Sequence, residues 1–210
     1  MKQAILVCAM LLVAAGPVLA RDIVPLPWDP AYPTVTSQAW EFTHDPPGPW
    51  SYANNPYGPP SMVADGDWTW PFQANGPDGA QITVLHFGPG GGSISVTIPN
   101  NPNPNLQKLI QYQVTSDKGM NGVPTTTPPG TIVPGSLGNA GWPNSNWYTY
   151  SGVIGIPGNP SVETIIFNFY PDTNVEEIVI KTVCIPEPAT VGLLAAGLSA
   201  LALRRRKRRR

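Results

Sequence analysis

The chain has 210 residues, of which only 12% are charged, whereas 27 are proline and 21 are glycine. This length suits one domain of ordinary size with additional terminal segments, and the composition excludes a mainly helical protein. The net charge of −1 hides an asymmetry, because positions 21–187 hold four basic against thirteen acidic residues, hence −9. This negative charge argues against a nucleic-acid partner for the central part of the chain.

The first 20 residues have the parts of a secretory signal peptide. Lys2 is followed by an apolar run over residues 4–16, and Ala20 is the expected cleavage site. We therefore expect residues 1–20 to be removed on export. Because Cys8 lies in this segment, Cys184 is the only cysteine of the exported protein and cannot form an internal disulfide.

Alternation of apolar and polar residues predicts about eight strands in the body of the chain. These predicted strands cover residues 34–43, 67–73, 81–87, 93–98, 106–115, 147–156, 162–170 and 175–183. In the clearest of them, Ile94, Val96 and Ile98 share one face. The pattern predicts an all-β domain over residues 21–183, built as a two-sheet sandwich or a jelly roll.

Strand-breaking residues separate these elements. Residues 45–60 and 121–144 are rich in proline or glycine and are predicted loops. Gly90, Gly91 and Gly92 predict a short loop between two strands. Residues 171–174 have the composition of a tight turn, which predicts a β-hairpin formed by the last two strands.

The chain offers few groups for catalysis. It has two histidines, His44 and His86, and the alternation predicts that His86 is a packed or surface residue of a strand. No Gly-x-Ser-x-Gly motif supplies a nucleophile. We therefore expect a protein that is not an enzyme and that uses no cofactor and no metal.

Two pairs of acidic residues keep one enzymatic alternative open. Asp65 with Asp67, or Glu176 with Glu177, would provide the two carboxyl groups of a carboxylate-dependent glycosidase. The first pair could also give oxygen ligands to calcium, but the full spacing of a calcium loop is absent. Turn formation is the favoured interpretation of these aspartates.

Aromatic residues in or beside the loop-rich regions are the one indication of ligand binding. Flat aromatic rings can stack on sugars, and four residues are candidates for this role: Trp142, Trp147, Tyr148 and Tyr150. Packing in the core is the favoured alternative, because each ring buries a large apolar area while its polar tip forms a hydrogen bond.

The C-terminal segment, residues 184–210, has three parts. A motif of Pro186, Glu187 and Pro188 precedes residues 189–203, which carry no charge. As a helix this stretch would span about 22 Å, and long basic side chains can extend it to membrane width. Seven basic residues follow: Arg204, Arg205, Arg206, Lys207, Arg208, Arg209 and Arg210. They predict a transmembrane helix whose C-terminal end stays in the cytoplasm while the body faces outward.

In the order of these parts, the segment resembles the PEP-CTERM sorting signal of some Gram-negative bacteria, which is also labelled an ice-binding protein C-terminal domain. The resemblance implies that an exosortase recognises Pro186, Glu187 and Pro188 and removes the helix and the basic tail. The body resembles the uncharacterised β-sandwich ectodomains that often precede such tails.

Together these features predict a non-enzymatic protein of the cell surface or the extracellular matrix. We expect it to be exported, held transiently in the inner membrane, and then anchored or released. The alternative function is a carbohydrate-binding module that engages exopolysaccharide through its loop aromatics.

Overall fold

A computed structural model describes residues 35–43, 50–100, 106–142 and 145–186. These residues form eleven β-strands and no helix, which confirms the predicted all-β fold. The strands are β1 (Thr36–Glu41), β2 (Trp50–Asn54), β3 (Ser61–Asn75), β4 (Gln81–Pro99), β5 (Leu106–Ser116), β6 (Thr125–Thr127), β7 (Thr131–Ile132), β8 (Gly138–Gly141), β9 (Tyr148–Ile156), β10 (Val162–Phe169) and β11 (Thr173–Pro186).

The predicted signal peptide and the predicted membrane helix over residues 189–203 lie outside the described residues. Within the described part of the chain, nothing helical has the length and apolar character needed to cross a membrane.

Each of the eight predicted strands lies largely within an observed strand, but three details differ. Residues 90–92 do not form a loop, because β4 runs through them and joins two predicted strands into one of 19 residues. The short strand β2 lies in the first predicted loop, and β6, β7 and β8 lie in the second. These four strands are only two to five residues long, too short for alternation to mark them.

All strands pair antiparallel in one curled sheet, whose main order is β6-β10-β4-β11-β5-β9-β7. The sheet folds over on itself as a β-sandwich does, so that β10 faces β5. The ring of Tyr112 on β5 meets the ring of Phe167 on β10 edge to face, with centroids 5.8 Å apart. The layer of β11, β5 and β9 therefore covers the layer of β10 and the second half of β4.

Strand β4 belongs to both layers. Leu85 to Phe87 pair with β11, whereas Gly92 to Pro99 pair with β10. The strand bends between these two parts, where four of its residues are glycines: Gly88, Gly90, Gly91 and Gly92. A Cβ atom on Gly92 would lie 2.5 Å from the Phe87 ring and 2.5 Å from the Asp65 carbonyl oxygen, so only glycine fits this position.

The predicted hairpin of the last two strands is wrong. Strand β4 pairs with both β10 and β11 and therefore lies between them. The turn after β10 instead carries the chain from one layer to the other. Asp172 in this turn has a φ of 54°, and its backbone N–H donates a hydrogen bond to the Gly88 carbonyl oxygen at 3.0 Å. Pro171 and Asp172 form a turn, as predicted, whereas Thr173 and Asn174 already belong to β11. The insertion of β4 is a long-range pairing, which the local turn residues do not determine.

The core fills the space between the two layers. It consists of alternating side chains from both, among which Ile94, Val96, Ile110, Ile165 and Ile178 have no solvent exposure. Burying one aliphatic side chain of this size stabilises the folded state by about 1.5–3 kcal/mol. The periodicity that predicted the strands is thus the periodicity that forms the core.

The sandwich has two ends, which we name by the strands that begin and finish there. At the end that we call the far end, β5 and β10 finish and β9 and β11 begin, so that Ser116 lies opposite Tyr148. At the end that we call the near end, β5 begins and β11 finishes, so that Leu106 lies opposite Pro186. The 14 residues of β11 separate these ends by about 45 Å at the rise of an antiparallel strand.

A buried polar cluster lies at the near end, between the layers. Lys108 and Glu163 have no solvent exposure, and Lys108 Nζ lies 3.6 Å from Glu163 Oε1. Lys108 Nζ also donates a hydrogen bond to Asn100 Oδ1. Burial raises the pKa of Glu163 from 4.5 to about 7, although Lys108 acts in the opposite direction. Around neutral pH this carboxyl group is therefore protonated in a large fraction of molecules.

Strand β11 continues three residues beyond position 183, the predicted end of the domain. Cys184, Ile185 and Pro186 pair with Lys108, Gln107 and Leu106 of β5. Cys184 is buried, and burial is the main cause that raises the pKa of its thiol. The division of the chain into three parts stays a prediction, but these pairings make residue 186 the better end for an excised fragment.

We expect the stability of fragment 21–186 to depend on pH through Glu163. The raised folded-state pKa means that burial favours the protonated carboxyl group, so this stabilisation is complete below pH 4.5 and is lost as pH rises to about 7. We expect the free energy of unfolding of the wild type, measured with urea across this range, to fall relative to that of Glu163→Gln as the pH rises. A difference that stays constant or moves in the wild type's favour as pH rises would contradict the assignment.

We also expect fragment 21–183 to be less stable than fragment 21–186, by about 2 kcal/mol, because it lacks three ladder residues of β11. Urea denaturation followed by circular dichroism compares the two fragments, and both should give a β-type spectrum. Equal transition midpoints would show that the last three residues contribute nothing to the domain.

Candidate functional site

The four aromatic residues predicted from the sequence all lie at the far end, around the start of β9. The backbone N–H of Trp142 donates to the Trp147 carbonyl oxygen at 3.0 Å, which closes the β8–β9 connection. Tyr148 and Tyr150 follow on β9, at alternate positions on the face that carries Ile154 further along the strand. The core-facing side of β9 therefore changes from aliphatic to phenolic as it approaches the far end.

Trp147 is an anchor of the fold. Its side chain is only 3% exposed, and its Nε1–H donates to the Asn75 carbonyl oxygen at 2.8 Å. This bond fixes the turn between β3 and β4 against the start of β9. The geometry corresponds to the packing alternative for this residue, because so little of the ring is open to a ligand. Trp142 is half-buried, and its Nε1–H donates to Thr149 Oγ1 at 3.3 Å.

The tyrosines form an accessible group, which we call the tyrosine cluster and define as Tyr148, Tyr150 and Tyr170. Tyr148 is 36% exposed and Tyr170 is 45% exposed. The rings of Tyr148 and Tyr150 are tilted by 48°, with centroids 6.1 Å apart. Tyr170, which follows the last residue of β10, was not among the predicted site residues, although its position just before a turn is one where aromatic side chains remain exposed.

Tyr150 is the half-buried residue of the tyrosine cluster. Burial raises the pKa of its hydroxyl group, Tyr148 and Tyr170 raise it further, and a hydrogen bond with Asn139 acts in the opposite direction. The phenol therefore stays neutral at physiological pH and keeps its hydrogen-bond donor. A Cβ atom on Gly119 would lie 2.5 Å from Tyr150 Oη, and Gly119 has a φ of 83°, so glycine is required beside this ring.

A polar cleft of about 500 Å³ opens at the same end of the domain. Backbone and side-chain amides, carboxylates and the edge of Trp147 line it, with contributions from the β3–β4 turn, the residues after β5 and the start of β11. The residues that matter for its chemistry are Asn75, Asp78, Asp117, Asn146, Trp147 and Asn174. We call this feature the polar cleft.

A chain of hydrogen bonds keeps one wall of the polar cleft rigid. Asn174 donates to Asp117 twice, from its backbone N–H at 2.8 Å and from its side-chain Nδ2 at 2.6 Å. Since this leaves Asn174 Oδ1 as an acceptor, His86 Nδ1 is the donor in their contact of 2.9 Å. The His86 ring stacks on Phe72 with centroids 4.2 Å apart. His86 is thus a packed strand residue, as predicted, whereas His44 lies outside the described residues.

The predicted acidic pairs have separate environments. Asp65 and Asp67 line a second cleft of about 460 Å³. Asp65 Oδ1 accepts a hydrogen bond from the Gly66 N–H at 2.9 Å, and Asp67 Oδ2 accepts one from the Gly90 N–H of β4 at 3.4 Å. Both aspartates lie within β3, where its pairing with β4 shifts register, and not in the turn favoured from the sequence. Glu177 is 8% exposed and lies within the sheet opposite Thr115. The described residues include no group of three or more side chains suited to hold a metal ion.

The first residue of the predicted sorting motif, Pro186, ends β11 at the near end of the domain. Glu187 and Pro188 lie outside the described residues, and so does the basic tail from Arg204 to Arg210. The motif and the tyrosine cluster are consequently attached to opposite ends of the same sheet.

Comparison with known proteins gives one match to a family and one to a solved structure. Residues 185–207 match the family model of the PEP-CTERM protein-sorting motif. No curated protein matches the chain. Among solved structures, the chain is similar to the C-terminal CBM6 of LamC, a marine laminarinase from Zobellia galactanivorans, with 16% sequence identity and a TM-score of 0.29 over 69% of this chain and 98% of that one.

The structural likeness is too low to carry an argument about the ligand. The family match is different in kind, because it covers the segment in which the sequence places the proline-glutamate-proline motif, the apolar stretch and most of the basic block. The chain therefore carries a PEP-CTERM protein-sorting motif, the mark of an exported protein that is sorted by an exosortase.

Proposed function

We propose that the chain is a non-enzymatic protein of the cell surface or extracellular matrix, whose far end binds exopolysaccharide. The observation that carries the proposal is the accessible tyrosine cluster, which lies at the same end of the domain as the polar cleft. Sugar rings present apolar C–H faces that stack on aromatic rings and hydroxyl groups that pair with amides and carboxylates. Both kinds of partner are available at this end of the domain.

The location of these groups supports the same function. The sorting motif follows β11 at the near end, so a chain held through that motif in a membrane or at a surface would direct its far end outward. A binding site placed there would face the polysaccharide around the cell. The residues that bind would be Tyr148, Tyr150 and Tyr170, whereas Trp142 would pack against Thr149 and Trp147 would line the polar cleft.

Electrostatics favour a neutral or cation-bridged glycan. The segment 21–187 has a net charge of −9, and the polar cleft contains the carboxylates Asp78 and Asp117. Strongly acidic polysaccharides would be repelled unless divalent cations bridge the two. Added monovalent salt should therefore strengthen the binding of acidic fractions, because it screens this repulsion, and should have little effect on the binding of neutral fractions.

The glycosidase alternative requires two carboxyl groups that face each other across a cleft. Asp65 and Asp67 share a cleft, but each accepts a hydrogen bond from a nearby backbone N–H. Release of reducing sugar from the bound polysaccharide would favour this alternative over binding alone.

We expect Tyr148→Ala to weaken retention of fragment 21–186 on the producer's exopolysaccharide by about tenfold, because one stacking contact of roughly 1–1.5 kcal/mol is lost. Affinity electrophoresis measures the retention. Tyr57→Ala is the matched control, since Tyr57 is 37% exposed and lies beside Gly58, which approaches Pro99 at the near end. Equal retention of both variants and the wild type would argue against the tyrosine cluster as the binding site.

We expect the mature protein recovered from the cell surface to lack residues 204–210, because processing at Pro186, Glu187 and Pro188 would remove the helix and the basic tail. Mass spectrometry of the C-terminal peptide provides the measurement. A strain without exosortase activity is the control and should keep the tail. Surface protein that retains the seven basic residues in the wild-type strain would mean that the segment is a permanent membrane anchor.

A further inference from the structure

The buried cluster at the near end contains an amine, a carboxamide and a carboxyl group in direct contact. Lys108 and Glu163 are fully buried, and Asn100 is 7% exposed. Lys108 Nζ donates a hydrogen bond to Asn100 Oδ1 and lies 3.6 Å from Glu163 Oε1. The amine therefore contacts the carbonyl oxygen that is bonded to Asn100 Cγ, the electrophilic carbon of the carboxamide.

The three residues come from different strands and are held there by the fold. Lys108 is on β5, opposite Cys184 of β11 and Ile156 of β9. Glu163 is on β10, opposite Ile98 of β4. Asn100 directly follows β4, and its backbone N–H donates to the Ser161 carbonyl oxygen at 2.8 Å.

The polar atoms of this cluster are poorly satisfied as a set of hydrogen bonds. Among the described residues, Asn100 Nδ2 and both carboxyl oxygens of Glu163 have no hydrogen-bond partner. Leaving buried polar groups unpaired is costly, and replacing an isolated buried ion pair by apolar residues is often neutral or stabilising. A purely structural ion pair is therefore a poor explanation for a lysine, an asparagine and a glutamate at this place.

We propose that Lys108 and Asn100 form an intramolecular isopeptide bond, with Glu163 as the general acid and base of the reaction. The product would be a neutral secondary amide, which removes the buried lysine charge and the unpaired Asn100 Nδ2 in one step. The reaction would occur once in each molecule, after folding has brought the layers together.

The chemistry balances without a co-reactant. In the low dielectric of the core the ammonium proton of Lys108 passes to the Glu163 carboxylate, which gives a neutral amine and a neutral acid. Nζ then attacks Asn100 Cγ and forms the new N–C bond. The Cγ–Nδ2 bond breaks, Glu163 transfers the proton released by Nζ to Nδ2, and ammonia leaves. No group is oxidised or reduced.

Burial supplies what the same reaction lacks in water. An exposed lysine is protonated and an exposed carboxamide is inert, whereas fixed neighbours can have effective concentrations of roughly 10⁵–10⁸ M. The carboxyl group of Glu163, with its pKa of about 7, exists in both protonation states near neutral pH, as an acid–base catalyst requires. Ile98 and Ile156, both without solvent exposure, exclude the water that would hydrolyse the amide instead.

Mass spectrometry of the full chain, purified in detergent and denatured before digestion, tests the proposal. The wild type should be lighter than its sequence by one molecule of ammonia, and trypsin should fail to cut after Lys108, because its amine is acylated. Tandem spectra should assign the bond to Asn100. A wild-type chain with the full sequence mass and normal cleavage after Lys108 would overturn the proposal.

Two variants separate the bond from other losses of ammonia. Asn100→Ala and Glu163→Gln should both restore full mass and cleavage after Lys108, with circular dichroism confirming that each still folds. Glu177→Gln, which changes another buried acid, should keep the bond. Loss of ammonia combined with normal cleavage after Lys108 would indicate that an asparagine has cyclised onto the backbone, and would overturn the proposal. Bond formation in folded Glu163→Gln would overturn the role of Glu163.

Discussion

The bend of β4 at its glycines is the constraint on which the two layers depend. Before the bend this strand pairs with β11, and after it the same strand pairs with β10. Where the strand passes from one layer to the other, Gly92 lies close to the Phe87 ring and to the Asp65 backbone. A Cβ atom at this position would lie only 2.5 Å from each. Any side chain at Gly92 would push the layers apart and open the core between Tyr112 and Phe167.

This arrangement separates two kinds of polar chemistry. At the far end, a ligand from solution can reach the exposed tyrosines and, separately, the amides and carboxylates of the polar cleft. At the near end, Lys108, Asn100 and Glu163 are enclosed by aliphatic side chains, where only their neighbours can reach them. The two proposals therefore assign the same side-chain types to recognition at one end and to a reaction within the protein at the other.

The sequence predicted the strands well where apolar alternation is long, as in residues 106–115, because that alternation is the core itself. It failed for strand pairing: the turn after β10 was predicted, although only Pro171 and Asp172 form it, yet β4 lies between the two strands that this turn connects. Tyr148 and Tyr150 were recognised as candidates from local composition. Tyr170 and Asn139 were missed, and so was the contact between Lys108 and Glu163, because these neighbours are distant in sequence and only the curled sheet joins them.

Strand β11 also determines how the domain would respond to tension. It is paired with β5 along nearly its whole length and with β1 over Thr36 to Glu41, and it leads directly into the sorting motif. A pull on that attachment runs parallel to the strand and at right angles to its hydrogen bonds. The force would then act in shear on many hydrogen bonds between β11 and its neighbours at once, and would not break these bonds one after another.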